Sequence, residues 1–376
     1  MLTPTEQVYF RLLRLALWGE KESFPAIRAE EWPDLLRLSE RQGTAPLLYD
    51  LILQEEREGL NAAFQQQMKA VSAHCMVLQE QQKAVRRQAT RALTEAGIQV
   101  VQLKGMTLAR HYDKPYLRSC GDVDIYVGKD NYHQGAKVLR ETFPDAPRFD
   151  TEEDYFRHYN INVGPVPVEM HRVSHSFAHP RDERMYDALE QESLLKSPYR
   201  YQDEAESWLE PAADFNVLFV FLHSWEHFVT ETASIRQLVD LAMVLKDAKS
   251  PGLEAYLKRN LSRLHVKHAW QLYAYILVHY IGLPADQCPL YTPHAAERAN
   301  RLLEHILRAK PLKRNAEQEA APKNVLLRKL YTFKVRTREA RDIARFEPHY
   351  ARHMVVTNVA QSLMRFLKGQ NTRHWE

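Results

Sequence analysis

Between Ile98 and Arg172 the hydrophobic pattern of this chain changes from the 3.6-residue period of helices to short aliphatic runs with the two-residue alternation of strands. On both sides of that window it stays helical. A chain patterned this way encloses one small sheet in a helical body, so the expected class is α+β: a small mixed β-sheet core with large N-terminal and C-terminal helical regions. The pattern divides the 376 residues into an N-terminal helical region (1–96), an α/β core (97–205), a helical bundle (206–310) and a basic helical extension (311–376). No fixed-period repeat recurs, which argues against a solenoid.

Thr3, Pro4 and Glu6 form a capping box ahead of Val8, Leu12, Leu15 and Ala16, and so start the first helix. Helices are expected near 30–41 and 45–54, then a long one over 61–96 that Gly97 stops. Ile98, Val100, Val101 and Leu103 make a strand ending at Lys104-Gly105, and residues 106–112 suit a helix. Residues 123–127 form a second strand and 131–141 a helix. Two further strands, 155–163 and 166–172, are joined antiparallel at Gly164-Pro165. After a polar segment bearing Pro180, Pro198 and Pro211, helices are expected at 212–229, 234–247, 252–263, 266–281 and 294–309, with no later strand.

Charge excludes little, because 51 basic residues face 48 acidic ones for a net +3. Three scattered cysteines, Cys75, Cys120 and Cys288, fit neither a disulfide framework nor a cysteine zinc site. Arg14 breaks the only apolar patch near the start, and no run reaches the roughly 18 clean apolar residues of a membrane span. These features point to a cytoplasmic protein with no membrane segment.

The chemistry lies in three acids. Asp122 and Asp124 are two residues apart at a strand start, so period-two geometry turns both carboxylates to one face, with apolar Val123 between them. Left uncompensated, they would repel each other; a divalent ion removes that penalty. Glu169 is a lone acid in Val168-Glu169-Met170-His171, and if its strand neighbours that of Asp122 the three oxygens converge. Three carboxylates can hold two Mg²⁺ ions about 3.5 to 4 Å apart, and Glu169 can also take a proton from an attacking hydroxyl. His171 shares Glu169's face and orients substrate or water. Lys104, Gly105 and Thr107, at a strand-to-helix turn, are the expected phosphate contacts, with Arg118 a second clamp.

Taken in order, Leu103-Lys104-Gly105, then Arg118-Ser119-Cys120-Gly121-Asp122-Val123-Asp124, then Val168-Glu169-Met170-His171 resembles the DNA polymerase beta-like nucleotidyltransferase superfamily. Within it the chain is most similar to the bacterial uncharacterised nucleotidyltransferase family, over about residues 95 to 250, with Arg236 and Asp240 fitting that family's helical region. The resemblance implies a Mg²⁺- or Mn²⁺-dependent transfer of an NMP group from an NTP to a hydroxyl acceptor, with pyrophosphate leaving. It implies metal ligation by Asp122, Asp124 and Glu169, and phosphate binding at Gly105 and Thr107. The helical bundle, through His223, His227, Arg236 and Asp240, would line the acceptor side of the cleft. The acceptor is open among a small molecule, a protein and RNA, and so is the oligomeric state. Gly105-Met106 stands where the superfamily has Gly-Ser or Gly-Gly, and the spacing from Gly105 to Asp122 is longer than usual. The alternative is therefore a catalytically silent nucleotide-binding or scaffold protein on the same fold.

Two other motifs compete. His223-Ser224-Trp225-Glu226-His227 matches the inverted zinc-peptidase pattern, with Glu304 available as a further ligand; the opposing reading is an ordinary helix whose histidines face the cleft or the core. A basic run from Arg308 to Arg345, interleaved with Tyr331, Phe333 and Phe346, suits RNA or an acidic partner, but with Glu317, Glu319, Glu339 and Asp342 mixed in, a solvated helical face is the preferred reading.

Overall fold

The computed structural model describes residues 2–19, 23–54, 62–119, 121–147, 157–177, 179–203, 206–230, 233–308, 322, 325–348 and 350–352. Cys120, the start of the strand expected at Tyr155 and most of the basic extension lie outside the described residues.

The N-terminal part is helical: α1 (Pro4–Trp18), α2 (Trp32–Arg41), α3 (Ala45–Gln54) and the long α4 (Ala62–Glu95). The capping box forms as expected, with the Thr3 hydroxyl accepting from the Glu6 amide and the Glu6 carboxylate from the Thr3 amide at 2.7 Å. The central elements follow as β1 (Val101–Leu103), α5 (Gly105–Ala109), β2 (Val123–Tyr126), α6 (Gly128–Thr142), β3 (His158–Val163), β4 (Val166–His171), α7 (Pro180–Glu190), β5 (Tyr199–Gln202) and β6 (Ser207–Glu210). Helices α8 (Ala213–Thr230), α9 (Ile235–Asp247), α10 (Leu253–Arg263), α11 (Lys267–Ile276), α12 (Ala296–Arg308) and α13 (Val325–Ala344) complete the described chain.

The six strands form one mixed sheet in the order β3-β4-β2-β1-β6-β5. β4 runs parallel to β2 and β6 parallel to β1, while the β3–β4, β2–β1 and β6–β5 pairs are antiparallel. Helix α7 and strands β5 and β6 form in the segment read only as polar, ahead of the helix expected at residue 212. Each of these strands has only four residues, and β5, at the sheet edge, is largely exposed. β5 has no buried residue, and β6 buries only Trp208 and Glu210, so neither carries the apolar alternation that marks a strand. The hairpin is fastened to α4 by Arg86, which pairs with Glu206 and lies 4.8 Å over the Trp208 ring.

Alternation gives the sheet two unlike faces. Val123, Ile125, Ile161, Val168 and Met170 pack against Ala89 and Leu93 of α4 and Tyr132, Ala136 and Leu139 of α6 in one apolar core. Helix α6 lies so close to β4 that a Cβ on Gly135 would stand 2.7 Å from Met170 Sδ. The opposite face is apolar under β1, where Val101 and Leu103 join the larger core, and polar where Asp124, Glu169, His171, His158 and Asn160 stand. That larger core unites α1–α3 with α8, α9, α11 and α12. Gln42, between α2 and α3, caps the start of α9: its side chain accepts from the Ile235 amide at 3.0 Å and its carbonyl from the Arg236 amide at 3.1 Å. Among the described residues no helix is long and apolar enough to cross a membrane.

Candidate active site

Parallel pairing of β2 with β4 puts Asp124 directly opposite Glu169, and Tyr126 opposite His171. One oxygen of each carboxylate and a ring nitrogen of His171 lie within 4.8 Å of one another, and this is the group able to hold a metal that forms among the described residues. His171 Nε2 is 2.7 Å from Asp124 Oδ1 and 3.6 Å from Glu169 Oε2. Asp124 Oδ2 is buried and has no hydrogen-bond partner among the described residues. Two carboxylates, an imidazole and an orphaned buried oxygen fit a divalent cation, and the mixed O/N donor set suits Mn²⁺ at least as well as Mg²⁺.

Asp122 stands just before β2, outside this close group. Its carboxyl is pushed above the usual range, first by the charge of Asp124 and then by burial. Burial alone would raise Asp124 too, but the Lys104 ammonium and the His171 hydrogen bond outweigh it and hold that carboxyl well below the usual range. Glu169 is raised, by burial and then by Asp124. One acid is thus kept ionised and its neighbour made more basic, an asymmetry suited to separate roles.

The expected phosphate turn is a tight, strained bend. Lys104 has φ 36° and ψ −142°, and Gly105 follows with φ 43°. A non-glycine residue in such a conformation costs about 1–3 kcal/mol and persists where its surroundings over-determine it. Here the Lys104 carbonyl accepts from both the amide and the hydroxyl of Thr107, each at 2.8 Å. A Cβ on Gly105 would lie 3.2 Å from the Asp122 carbonyl oxygen, so the bend packs against the strand bearing the acids. Thr107, the expected phosphate contact, is 1% exposed and fastens the bend. Helix α5 extends only five residues, ending before the expected Tyr112.

Arg118 was expected to clamp phosphate and Asp240 to meet substrate, but the structure joins them to each other. Arg118 Nε donates to Asp240 Oδ1 at 2.7 Å and Nη2 to Oδ2 at 2.9 Å, while the Tyr112 hydroxyl donates to Oδ1 at 2.8 Å. This buried, bidentate pair ties the approach to β2 to α9. Arg236 lies 3.8 Å from the same carboxylate and donates to the Ser119 carbonyl at 3.1 Å.

His223 and His227, one turn apart on α8, bring their Nε2 atoms to 3.2 Å. Burial, and then the charges of Lys104, His227 and Arg236, hold His223 well below the usual histidine range, so it stands neutral beside Lys104. Glu226 is engaged by Arg157, one of whose hydrogen bonds is 3.0 Å, and by His175 at 3.1 Å. No metal-ligating group forms around the two histidines among the described residues, and the inverted zinc-peptidase reading is set aside.

Arg157 and His158 escaped sequence reasoning. His158 pairs across β3–β4 with His171, their ring centroids 5.3 Å apart, and burial, then His171 and Arg157, push it down to about 3. The signal was present as polar His158, Asn160 and Asn162 alternating with Tyr159, Ile161 and Val163.

Two acids on parallel neighbours of a small mixed sheet, facing a glycine bend at the end of the adjoining strand, define a protein of the nucleotidyltransferase class. The chain belongs to the uncharacterised nucleotidyltransferase family, which matches residues 28–282. The match takes in α2 to α4 as well as the segment whose motifs carried the resemblance. Among solved structures the chain is similar to an antigenic nucleotidyltransferase-like protein from Paracoccidioides brasiliensis, at 11% identity and a TM-score of 0.33, over 57% of this chain and 96% of that one. No curated protein matches the chain.

Proposed function

We propose that the chain moves an NMP group from an NTP to a hydroxyl acceptor in a Mg²⁺- or Mn²⁺-dependent reaction at the polar face of β2 and β4. The observation that carries this reading is the register of Asp124 against Glu169, with His171 in reach of both.

Asp124, Glu169 and His171 would hold the cation, with Asp122 beside them. The cation would lower the charge on the phosphates and steady the leaving group. Glu169, beside its part in holding the cation, accepts the proton of the acceptor hydroxyl. As the hydroxyl oxygen bonds to the α-phosphorus, the bond from that phosphorus to the bridging oxygen breaks and pyrophosphate departs. Gly105 leaves its backbone open to close approach, and Lys104 supplies positive charge. His223, His227 and Arg236 form the acceptor side, while Arg118 and Asp240 position the approach to β2. The acceptor class, whether small molecule, protein or RNA end, is to be read from the labelled product.

Incubating the whole chain with each α-labelled NTP, Mn²⁺ or Mg²⁺ and candidate acceptors tests the proposal. Labelled acceptor with stoichiometric pyrophosphate supports it. Nucleotide binding with neither product would favour the silent alternative, which the closed Thr107 and Arg118 contacts also permit.

A further inference from the structure

Lys104 Nζ lies 2.9 Å from Asp124 Oδ1, the same oxygen that meets His171 Nε2 at 2.7 Å. The lysine side chain is 10% exposed and that of Asp124 fully buried. The contact is built by the backbone: the positive φ of Lys104 directs the residue after β1, and the two hydrogen bonds that Thr107 donates to its carbonyl lock the bend. An ordinary phosphate-seeking lysine on a flexible loop would need none of this. The sequence places the lysine immediately after Leu103, which pairs with Asp124 across β1 and β2, so a lysine at this position reaches the acid by construction.

We propose that Lys104 is a displaceable counter-ion, competing with a divalent cation for Asp124 until the triphosphate of an incoming nucleotide draws the ammonium onto itself. The proposal rests on reading the site as a metal and nucleotide centre. Its physical basis is that an ammonium and a divalent cation on one buried carboxylate repel each other strongly, because little solvent screens them. A triphosphate offers the lysine several anionic oxygens at the moment the carboxylate is needed elsewhere. Free metal therefore binds poorly, and metal and nucleotide bind with positive coupling. Lys104 acts here as a positioning residue that makes metal loading conditional on substrate.

The test is Mn²⁺ binding to the full chain, followed by the electron paramagnetic resonance signal of free Mn²⁺, with and without a non-hydrolysable NTP analogue. Lys104→Met is expected to bind Mn²⁺ more than about tenfold more tightly than wild type without nucleotide. Adding the analogue is expected to bring the two affinities together. Lys104→Asn, whose side chain tolerates a left-handed backbone, is the second variant should Met not fold. Asp124→Asn in either background is expected to abolish the gain. Equal Mn²⁺ affinity in wild type and both variants, lowered in each by Asp124→Asn, would overturn the exchange and leave the metal site standing. A tight variant whose wild-type parent gains nothing from the analogue would also overturn it. No Mn²⁺ binding by any form, with or without nucleotide, would sink the metal reading itself and this proposal with it.

Discussion

Arg118 and Asp240, 122 residues apart, meet in a buried two-point ion pair that the Tyr112 hydroxyl completes. Both side chains are 4% exposed, so water cannot replace either partner. Removing one charge from such a pair leaves the other buried and uncompensated. Asp240→Ala should therefore lose about 3–5 kcal/mol of stability in urea unfolding. The double variant Arg118→Met with Asp240→Leu should recover part of that loss, since neither charge is then stranded. If Asp240→Ala proved as stable as wild type, the pair would have no structural role.

Gly105 carries φ +43° within 3.2 Å of the Asp122 carbonyl. An alanine there meets both a left-handed backbone and a backbone oxygen that no side-chain rotation relieves. Gly105→Ala is expected to lose about 1–2 kcal/mol in thermal unfolding and to lose far more of its transfer rate than that change explains, because Asp122 must shift. Equal losses in a control at an unrelated glycine such as Gly252 would contradict this.

Glu190 gives a pH dependence of known sign. Burial pushes its carboxyl up from an ordinary 4.5 to about 7, although the Ser174 amide and the Tyr126 hydroxyl both donate to it. Between those values the folded chain keeps a proton that the unfolded chain has released, so this residue's contribution to stability falls as pH rises and the full penalty is present above 7. The shift corresponds to about 3 kcal/mol. Glu190→Gln should be more stable than wild type at pH 8 and close to it at pH 4.5, by urea unfolding at both. A difference independent of pH would refute the assignment.

The donor set makes a further demand. With an imidazole among the ligands, Mn²⁺ should support faster transfer than Mg²⁺ at equal concentration, and His171→Ala should shrink that preference as well as the rate. A preference for Mg²⁺ unchanged by His171→Ala would remove His171 from the ligand set.

Much of this site was legible in the chain. Asp122-Val123-Asp124 and Val168-Glu169-Met170-His171 show strand periodicity, and the parallel register of β2 and β4 joins them as the isolation of Glu169 suggested. The closest group, however, exchanges Asp122 for His171, because strand partners are fixed by register and not by residue type. The pairing of Arg118 with Asp240 was invisible in the chain, because the two lie 122 residues apart. The hydrogen bond from Thr107 to the Lys104 carbonyl was hidden for a related reason: a hydroxyl one turn into a helix can cap its own bend as readily as it can meet phosphate. Strand β5 is largely exposed and β6 turns only Trp208 and Glu210 inward, too little apolar alternation to mark a strand, while pairing with β1 and the contacts of Arg86 hold the hairpin in place.

The central claim is that Asp124 and its neighbours run nucleotidyl transfer, and Asp124→Asn tests it most directly. Asn keeps the size of the side chain and removes the charge that the cation, Lys104 and His171 share. In a quantitative assay with α-labelled NTP, the folded variant is predicted to release pyrophosphate at least about a thousandfold more slowly than wild type, roughly 4 kcal/mol of lost transition-state stabilisation. A folded Asp124→Asn that turns over at the wild-type rate would contradict the account.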